Sequence, residues 1–358
     1  MLLILKLPAF LLAVYVMYWS LPLANLLLFI KAWKVVGNRN DMYRWCQFLV
    51  RACGIKVRKC GKQELYRGGA CLYLANHRSW ADFFVDAYLT EGRGQLMSRA
   101  AVIFVFPVVI LPLTLVRGCI CFRRDGVKDK EKFNRWIDAC IGASPVPGIC
   151  LFPEGHRSRL PHSLPLKRGM LNYAYSRKMP VQIVISAHKE LAMDEKSFHV
   201  RFGATCVTGY GPLMRTADYA SFDEFYTALQ GEWQKLWVEV FSADPAALPE
   251  LVISAPAGFT YPLQLKLSQL LLTLLELALM AWGLAWSVRA WGGVAARLAG
   301  TLQLGVSGLQ VLQYLPLVWL VVSLASCYDS TLPQPVLAAD GTPLVGSSQA
   351  TRDSKKAL

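Results

Sequence analysis

The chain carries no P-loop, no dinucleotide-binding glycine signature and no cysteine pair at zinc-ligand spacing, so three of the commonest cofactor chemistries leave no trace in it. Charge is also scarce. Asp, Glu, Lys and Arg make up 17% of the residues, below the roughly 25% of an average soluble chain, while hydrophobic types reach 54%. Acidic residues are the scarcer half, 24 against 38 Lys and Arg, which leaves a formal net charge of +14. Such a balance suits anionic lipid surfaces and phosphorylated substrates. It would suit nucleic acid too, but the long apolar segments argue for a lipid bilayer as partner and against nucleic acid.

The apolar surplus lies at the two ends. Residues 2–30 are almost continuously apolar, broken by Lys6, Pro8, Ser20, Pro22 and Asn25. About 20 such residues span a bilayer, whereas a signal peptide has an apolar core of roughly 7–15, so residues 1–30 read as a retained membrane anchor. Lys31, Lys34, Arg39 and Arg44 follow it, against Lys6 alone before it, which places the following domain, residues 31–243, on the cytoplasmic face. An Ala- and Pro-rich stretch, 244–262, reads as a linker. Two further apolar runs, Leu263–Val288 and Leu298–Cys327, flank Arg289–Arg297 and read as a transmembrane hairpin over 263–327. The polar tail, 328–358, reads as disordered. These features describe an integral membrane protein, of the endoplasmic reticulum or, alternatively, of a mitochondrial membrane. Ten scattered cysteines read as free thiols of a reducing compartment.

Between residues 70 and 240, strand-like and helix-like segments alternate. Strands are expected at Cys71–Leu74, Gln95–Ser98, Gly118–Phe122, Ile149–Phe152, Val181–Ser186 and His199–Thr208. Helices are expected at Trp80–Thr90, Lys128–Ile141, Lys167–Arg177 and Ser221–Phe241. The pattern implies an α/β fold, a largely parallel sheet flanked by helices, with reactive groups at the carboxyl ends of the strands. The run Ala101–Val116, interrupted by Pro107 and Pro112, is short for a span and reads either as plain core or as a wall facing an acyl chain.

Two strand ends carry the chemistry. In Ala75–Asn76–His77–Arg78–Ser79–Trp80–Ala81–Asp82 a histidine is followed five residues later by an aspartate. A neutral imidazole accepts a proton through one nitrogen only if the other is held as donor, and a carboxylate does that. The spacing works if His77 lies in the loop and Asp82 in the first turn of the next helix. Two readings stay open, because Ser79–Asp82 also fits a helix-capping pattern in which Asp82 merely satisfies backbone amides. The second strand end is Leu151–Phe152–Pro153–Glu154–Gly155–His156–Arg157–Ser158. No protein nucleophile is needed if the attacking hydroxyl belongs to a substrate and the acyl donor is activated, as a thioester is.

Four segments occur in order: Asn76–His77 with Ser79 and Asp82, Gly118–Arg124, Phe152–Gly155 with Arg157–Ser158, and Pro180–Val184. Together they resemble the four motif blocks of the glycerolipid acyltransferase family, the group containing 1-acylglycerol-3-phosphate acyltransferases. The resemblance spans residues 70 to 215. It implies transfer of a fatty acyl group from acyl-CoA, a co-substrate with no further cofactor or metal, to the free hydroxyl of a lysophospholipid. It also implies His77 as general base, Asp82 as its orienting partner, and Arg124, Glu154, Gly155 and Arg157 around the acceptor's phosphate and glycerol. His156 stands where the phosphatidate-forming branch usually has threonine, which bears on acceptor identity, and Ile183 replaces the usual second proline of the fourth block.

The phosphate role has an independent logic. Arg123 and Arg124 end one apolar strand and Arg157 follows another, and guanidinium groups match phosphate oxygens. Glu154 suits an acceptor hydroxyl or, equally, its neighbour Arg157. Lys167, with Arg168 and Gly169, opens a helix whose amides would favour a phosphate. Two alternatives to the acyl-CoA reaction remain: a CoA-independent transacylase using the same base, and an inactive membrane lipid-binding protein of the same fold.

Overall fold

The structure, a computed structural model, describes residues 2–32, 38–115, 117–123, 129–253, 256 and 258–336. Its centre is built from segments too apolar to face water. Leu72–Ala75 and Val181–Ala187 are buried at every residue, as strands covered on both faces must be. Seven strands form one sheet: β1 (Lys56–Cys60), β2 (Leu72–Ala75), β3 (Gly94–Arg99), β4 (Cys119–Phe122), β5 (Gly148–Leu151), β6 (Val181–Ala187) and β7 (Thr205–Tyr210). The order is β1-β7-β6-β2-β5-β3-β4, and every neighbouring pair is parallel except β6 with β7. Leu74 of β2 stands opposite Leu151 of β5 and Ile183 of β6. That register brings Asn76–His77 and Phe152–Glu154 out together at one edge.

Helices cover both faces. On one lie α1 (Leu2–Ala32), α2 (Asp41–Ala52), α3 (Asp82–Leu89), α4 (Val102–Val105) and α5 (Pro107–Leu115). On the other lie α6 (Lys130–Gly142), α7 (Arg168–Ser176) and, beyond the short α8 (Lys189–Ala192), α9 (Phe222–Ser242). Alternation along β2 separates the two cores. Tyr73 and Ala75 join Phe10, Met17, Trp45 and Phe84, whereas Leu72 and Leu74 join Leu171, Phe225, Trp233 and Trp237. The N-terminal helix therefore does more than anchor the chain, because its residues Ala9 to Leu21 contribute to the first core.

Several boundaries differ from the sequence reading. The expected strand His199–Thr208 is divided. His199–Val200 pairs antiparallel with Met193–Asp194, and β7 begins only after Gly203, whose φ of +85° makes the turn. Part of the stretch 244–262, expected as a linker, is docked. Leu251 donates its amide to the Val57 carbonyl, and Lys59 donates to that of Pro249, so the stretch covers the open edge of β1. Phe259–Thr260 then pairs with Asn38–Arg39.

The C-terminal hairpin turns later than expected. The long helix α10 (Leu263–Thr301) runs straight through Arg289–Arg297, and the chain reverses at Leu302–Gly305 before α11 (Val306–Cys327). Arg, Ala and Trp continue a helix readily enough to carry two glycines, so the charges alone do not break it. At 1.5 Å per residue α10 is about 58 Å long, against roughly 30 Å for the hydrocarbon core of a bilayer. Among the described residues three helical segments, Leu3–Ala24, Leu263–Thr301 and Val306–Cys327, are long and apolar enough to cross a membrane. The start of the tail is docked, not loose. Asp329 donates its amide to Phe202, Arg201 pairs with Asp329, and the Val336 amide reaches the carbonyl of Phe241. Residues 337–358 of the tail lie outside the described residues.

Candidate active site

The loop after β2 is pinned from both sides. Asn76 donates through Nδ2 to the Ser186 carbonyl (3.0 Å) and accepts the Ser186 amide (2.8 Å), tying the loop to β6. The next residue, His77, donates its main-chain amide to Glu154 Oε2 (2.8 Å), which ties it to the end of β5. The imidazole stacks on Phe152 with ring centroids 4.1 Å apart and an interplanar angle of 11°. Its Nδ1 lies 2.6 Å from Asp82 Oδ2. Asp82 opens α3 and is 1% exposed, whereas the His77 side chain is 24% exposed.

Asp82 makes both sets of contacts that the sequence reading weighed. The same oxygen, Oδ2, that meets His77 also accepts the amides of Arg78 and Ser79 (3.1 Å to Ser79). The carboxylate thus shapes the turn and at once makes Nδ1 the donor nitrogen of the ring. Burial alone would raise the Asp82 carboxyl. The Lys189 ammonium, the His77 ring and the Arg78 amide outweigh it and hold the group below the usual aspartate value. His77 Nε2 has no hydrogen-bond partner among the described residues.

Glu154 is placed differently from the expectation of an acceptor contact. It is buried, Oε2 accepts the His77 amide, and Oε1 accepts the Leu164 amide (2.9 Å) and the Ser163 hydroxyl (3.3 Å). Burial raises its carboxyl, and the His77 and Leu164 amides oppose the rise. Nor does it pair with Arg157, whose Nη1 lies 2.5 Å from Glu195 Oε1. Glu154 stands behind His77, bracing two loops. Its neighbour Gly155 has φ +74°, a left-handed turn that favours glycine and bends the chain along the site. Lys167, just before α7, is exposed, and its amide is already given to the Pro153 carbonyl (2.7 Å). Arg124 lies outside the described residues.

His77, Gly155, Arg157 and Lys167 line one cavity of about 1380 Å³. Part of its wall is apolar and aromatic: Met17 from α1, Trp80, Phe83, and Val102, Phe106 and Val109 from the run that the sequence left between core and acyl wall. That run is divided, since Ile110 and Leu113 are buried in the core. Another part is basic: Arg99, Lys130, Arg157, Lys167, Arg168 and Lys196. No acidic side chain is among the described residues that line it. Sequence reasoning placed Phe152 in a motif block without a role and did not single out Glu195 or Lys196, whose segment reaches the site only through the 193–200 hairpin. No group of three or more metal-ligating side chains is found among the described residues.

The family model described as Acyltransferase matches residues 56–186, from the first residue of β1 into β6. No curated protein matches the chain. Among solved structures, the crystal structure of the 1-acyl-sn-glycerophosphate (LPA) acyltransferase PlsC from Thermotoga maritima is similar at 13% identity and a TM-score of 0.45, over 55% of this chain and 77% of that one. The matched segment contains the His77–Asp82 pair, Glu154, Gly155, Arg157 and Lys167, and in it the chain is similar to the acyltransferase family.

Proposed function

We propose that the protein is a membrane-bound enzyme that transfers a fatty acyl group from acyl-CoA to the free hydroxyl of a lysophospholipid. One observation carries the reading. An imidazole whose Nδ1 is held by a buried carboxylate stands on the wall of a cavity that is apolar on one side and basic on the other. The apolar wall suits an acyl chain, and the cations suit the phosphates of both substrates.

In this mechanism His77 Nε2 takes the proton of the acceptor hydroxyl as its oxygen attacks the thioester carbonyl. The new ester C–O bond forms, the C–S bond breaks, and the imidazolium returns its proton to the departing thiolate. Asp82 stabilises the imidazolium and keeps the ring turned. Arg157, Lys167 and Gly155 would hold the acceptor's phosphate and glycerol from the cavity wall, with Arg124 assigned to the same phosphate on the motif alone. The three long apolar helices would embed the protein so that lipid reaches the cavity beside Met17 of α1. The charge asymmetry around α1 would put the catalytic domain on the cytosolic side, with the endoplasmic reticulum as the expected membrane.

The test is purified protein in lipid vesicles, given labelled acyl-CoA and a panel of lysophospholipids, with products analysed by mass. New diacyl lipid that depends on acyl-CoA supports the reading. Product formed from phospholipid without CoA would make it a transacylase. No product with any donor would leave a lipid-binding protein.

A further inference from the structure

Beneath the His77–Asp82 pair lies a buried layer that the mechanism above does not use. Lys189, the first residue of α8, is fully buried. Its Nζ donates to Asp86 Oδ2 and to the main-chain carbonyl of Asn76, both at 2.6 Å, and lies 3.5 Å from Asp82 Oδ1. Asp86 is one turn after Asp82 on α3 and equally buried. The two oxygens of Asp82 are therefore divided. Oδ2 meets His77 and two amides, while Oδ1 has no hydrogen-bond partner among the described residues and faces the Lys189 ammonium.

The backbone is bent to put the lysine there. His188, immediately before it, has φ +65°, a left-handed conformation that a non-glycine residue adopts at some cost. This turn at the end of β6 returns the chain under the end of β2. A fully buried ammonium is itself expensive unless it is paired and hydrogen-bonded. Both costs fall on a residue directly behind the catalytic pair.

We propose that Lys189 is a positioning residue for the acyl transfer: its ammonium keeps Asp82 ionised and turned so that Oδ2 faces His77, while Asp86 and the Asn76 carbonyl hold the ammonium in place. This rests on the reading of His77 as the base. The charged and titratable groups around Lys189 are Asp82 and Asp86 from α3, Glu154 after β5, Cys150 of β5, Cys206 of β7 and Glu190 beside it on α8. Burial would lower the lysine's pKa, but Asp82 and Asp86 outweigh it, so the ammonium stays charged. Burial pushes the Asp86 carboxyl up to about 7, against the pull of Lys189 and with the push of Asp82's charge. Asp82 is held down. As pH falls, Asp86 therefore takes up its proton first and leaves the ammonium to Asp82.

The test is a set of pH–kcat profiles in an Asp86→Asn background, where loss of Lys189 strands no second buried carboxylate. Adding Lys189→Met should lower kcat on the order of 10- to 100-fold, less than the roughly 10²–10⁴-fold of the base itself, with both KM values little changed. The acid limb of the profile should move to higher pH, because Asp82 without its cation protonates sooner. Lys189→Gln, which keeps hydrogen-bonding capacity and removes only the charge, should shift the limb the same way. With Asp82→Asn also present, neither change should move the profile further, since both act through one carboxylate. Thermal unfolding of each variant establishes that it is folded. An acid limb that stays in place in either folded variant, or an equal shift with and without Asp82, would overturn the proposal. Full activity in His77→Ala would instead overturn the base assignment, a result that does not depend on Lys189.

Discussion

Replacing Glu154 by Gln separates a brace from a substrate contact. The carboxylate accepts three internal donors: the His77 amide on Oε2, and the Leu164 amide with the Ser163 hydroxyl on Oε1. A glutamine has one oxygen, so whichever way its amide turns, an NH₂ group faces at least one buried donor. Losing one buried hydrogen bond and stranding its donor costs about 1–3 kcal/mol. The raised carboxyl of Glu154 sets the pH dependence. A group whose folded-state pKa lies above its unfolded value contributes stability at low pH that is lost as pH rises through the folded value. Glutamine does not titrate, so the deficit should be largest in acid and should narrow toward alkaline pH. Since the His77 amide is one of the donors at risk, kcat should fall as well, a displacement of about 1 Å being enough for roughly 100-fold. The KM for lysophospholipid should stay near its wild-type value. Denaturant unfolding at several pH values, with steady-state kinetics on vesicles, reads all three quantities. A raised acceptor KM at unchanged kcat and unchanged stability would refute the brace and return Glu154 to the substrate.

Other substitutions divide the site further. His77→Ala should remove nearly all acyl transfer, with general-base catalysis accounting for about 10²–10⁴-fold, while expression and membrane association persist; wild-type turnover at saturating substrate would end the mechanism. Asp82→Asn should lower kcat at nearly constant KM and also loosen the turn, because the same oxygen holds two amides besides the imidazole. Arg157→Ala should raise the KM for lysophospholipid more than that for acyl-CoA, by about 1.5–3 kcal/mol if one charge-assisted bond to phosphate is lost. Equal effects on both substrates would mean that its ion pair with Glu195 is all it does. Single cysteines at Gln303 in the hairpin turn and at an exposed catalytic-domain position such as Lys167, in a background with native thiols controlled, should label from opposite sides of sealed vesicles. Labelling of both from one side would remove the membrane hairpin.

The sheet was legible because its central strands are apolar runs bounded by polar turns, and such runs have few other places to go. Cys71–Leu74 and Val181–Ser186, read from the sequence, sit within one residue of β2 and β6. Lys56–Cys60 gave no such signal. Lys56, Arg58 and Lys59 suit it to an edge, and it is covered by the segment around Leu248–Leu251, about 190 residues away. The site divides along the same line. His77 and Asp82 are five residues apart, so a loop followed by a helix is enough to bring them together, and their chemistry shows in the residue types. Lys189 is the opposite case. In sequence it is a lysine after a strand, flanked by His188 and Glu190, and composition alone would put it in solvent. It becomes a buried cation only because β6 lies beside β2, which sets the left-handed turn at His188 under the two aspartates of α3. Residue types reveal groups that react; which groups hold them is decided by strand order, and strand order is a property of the whole sheet.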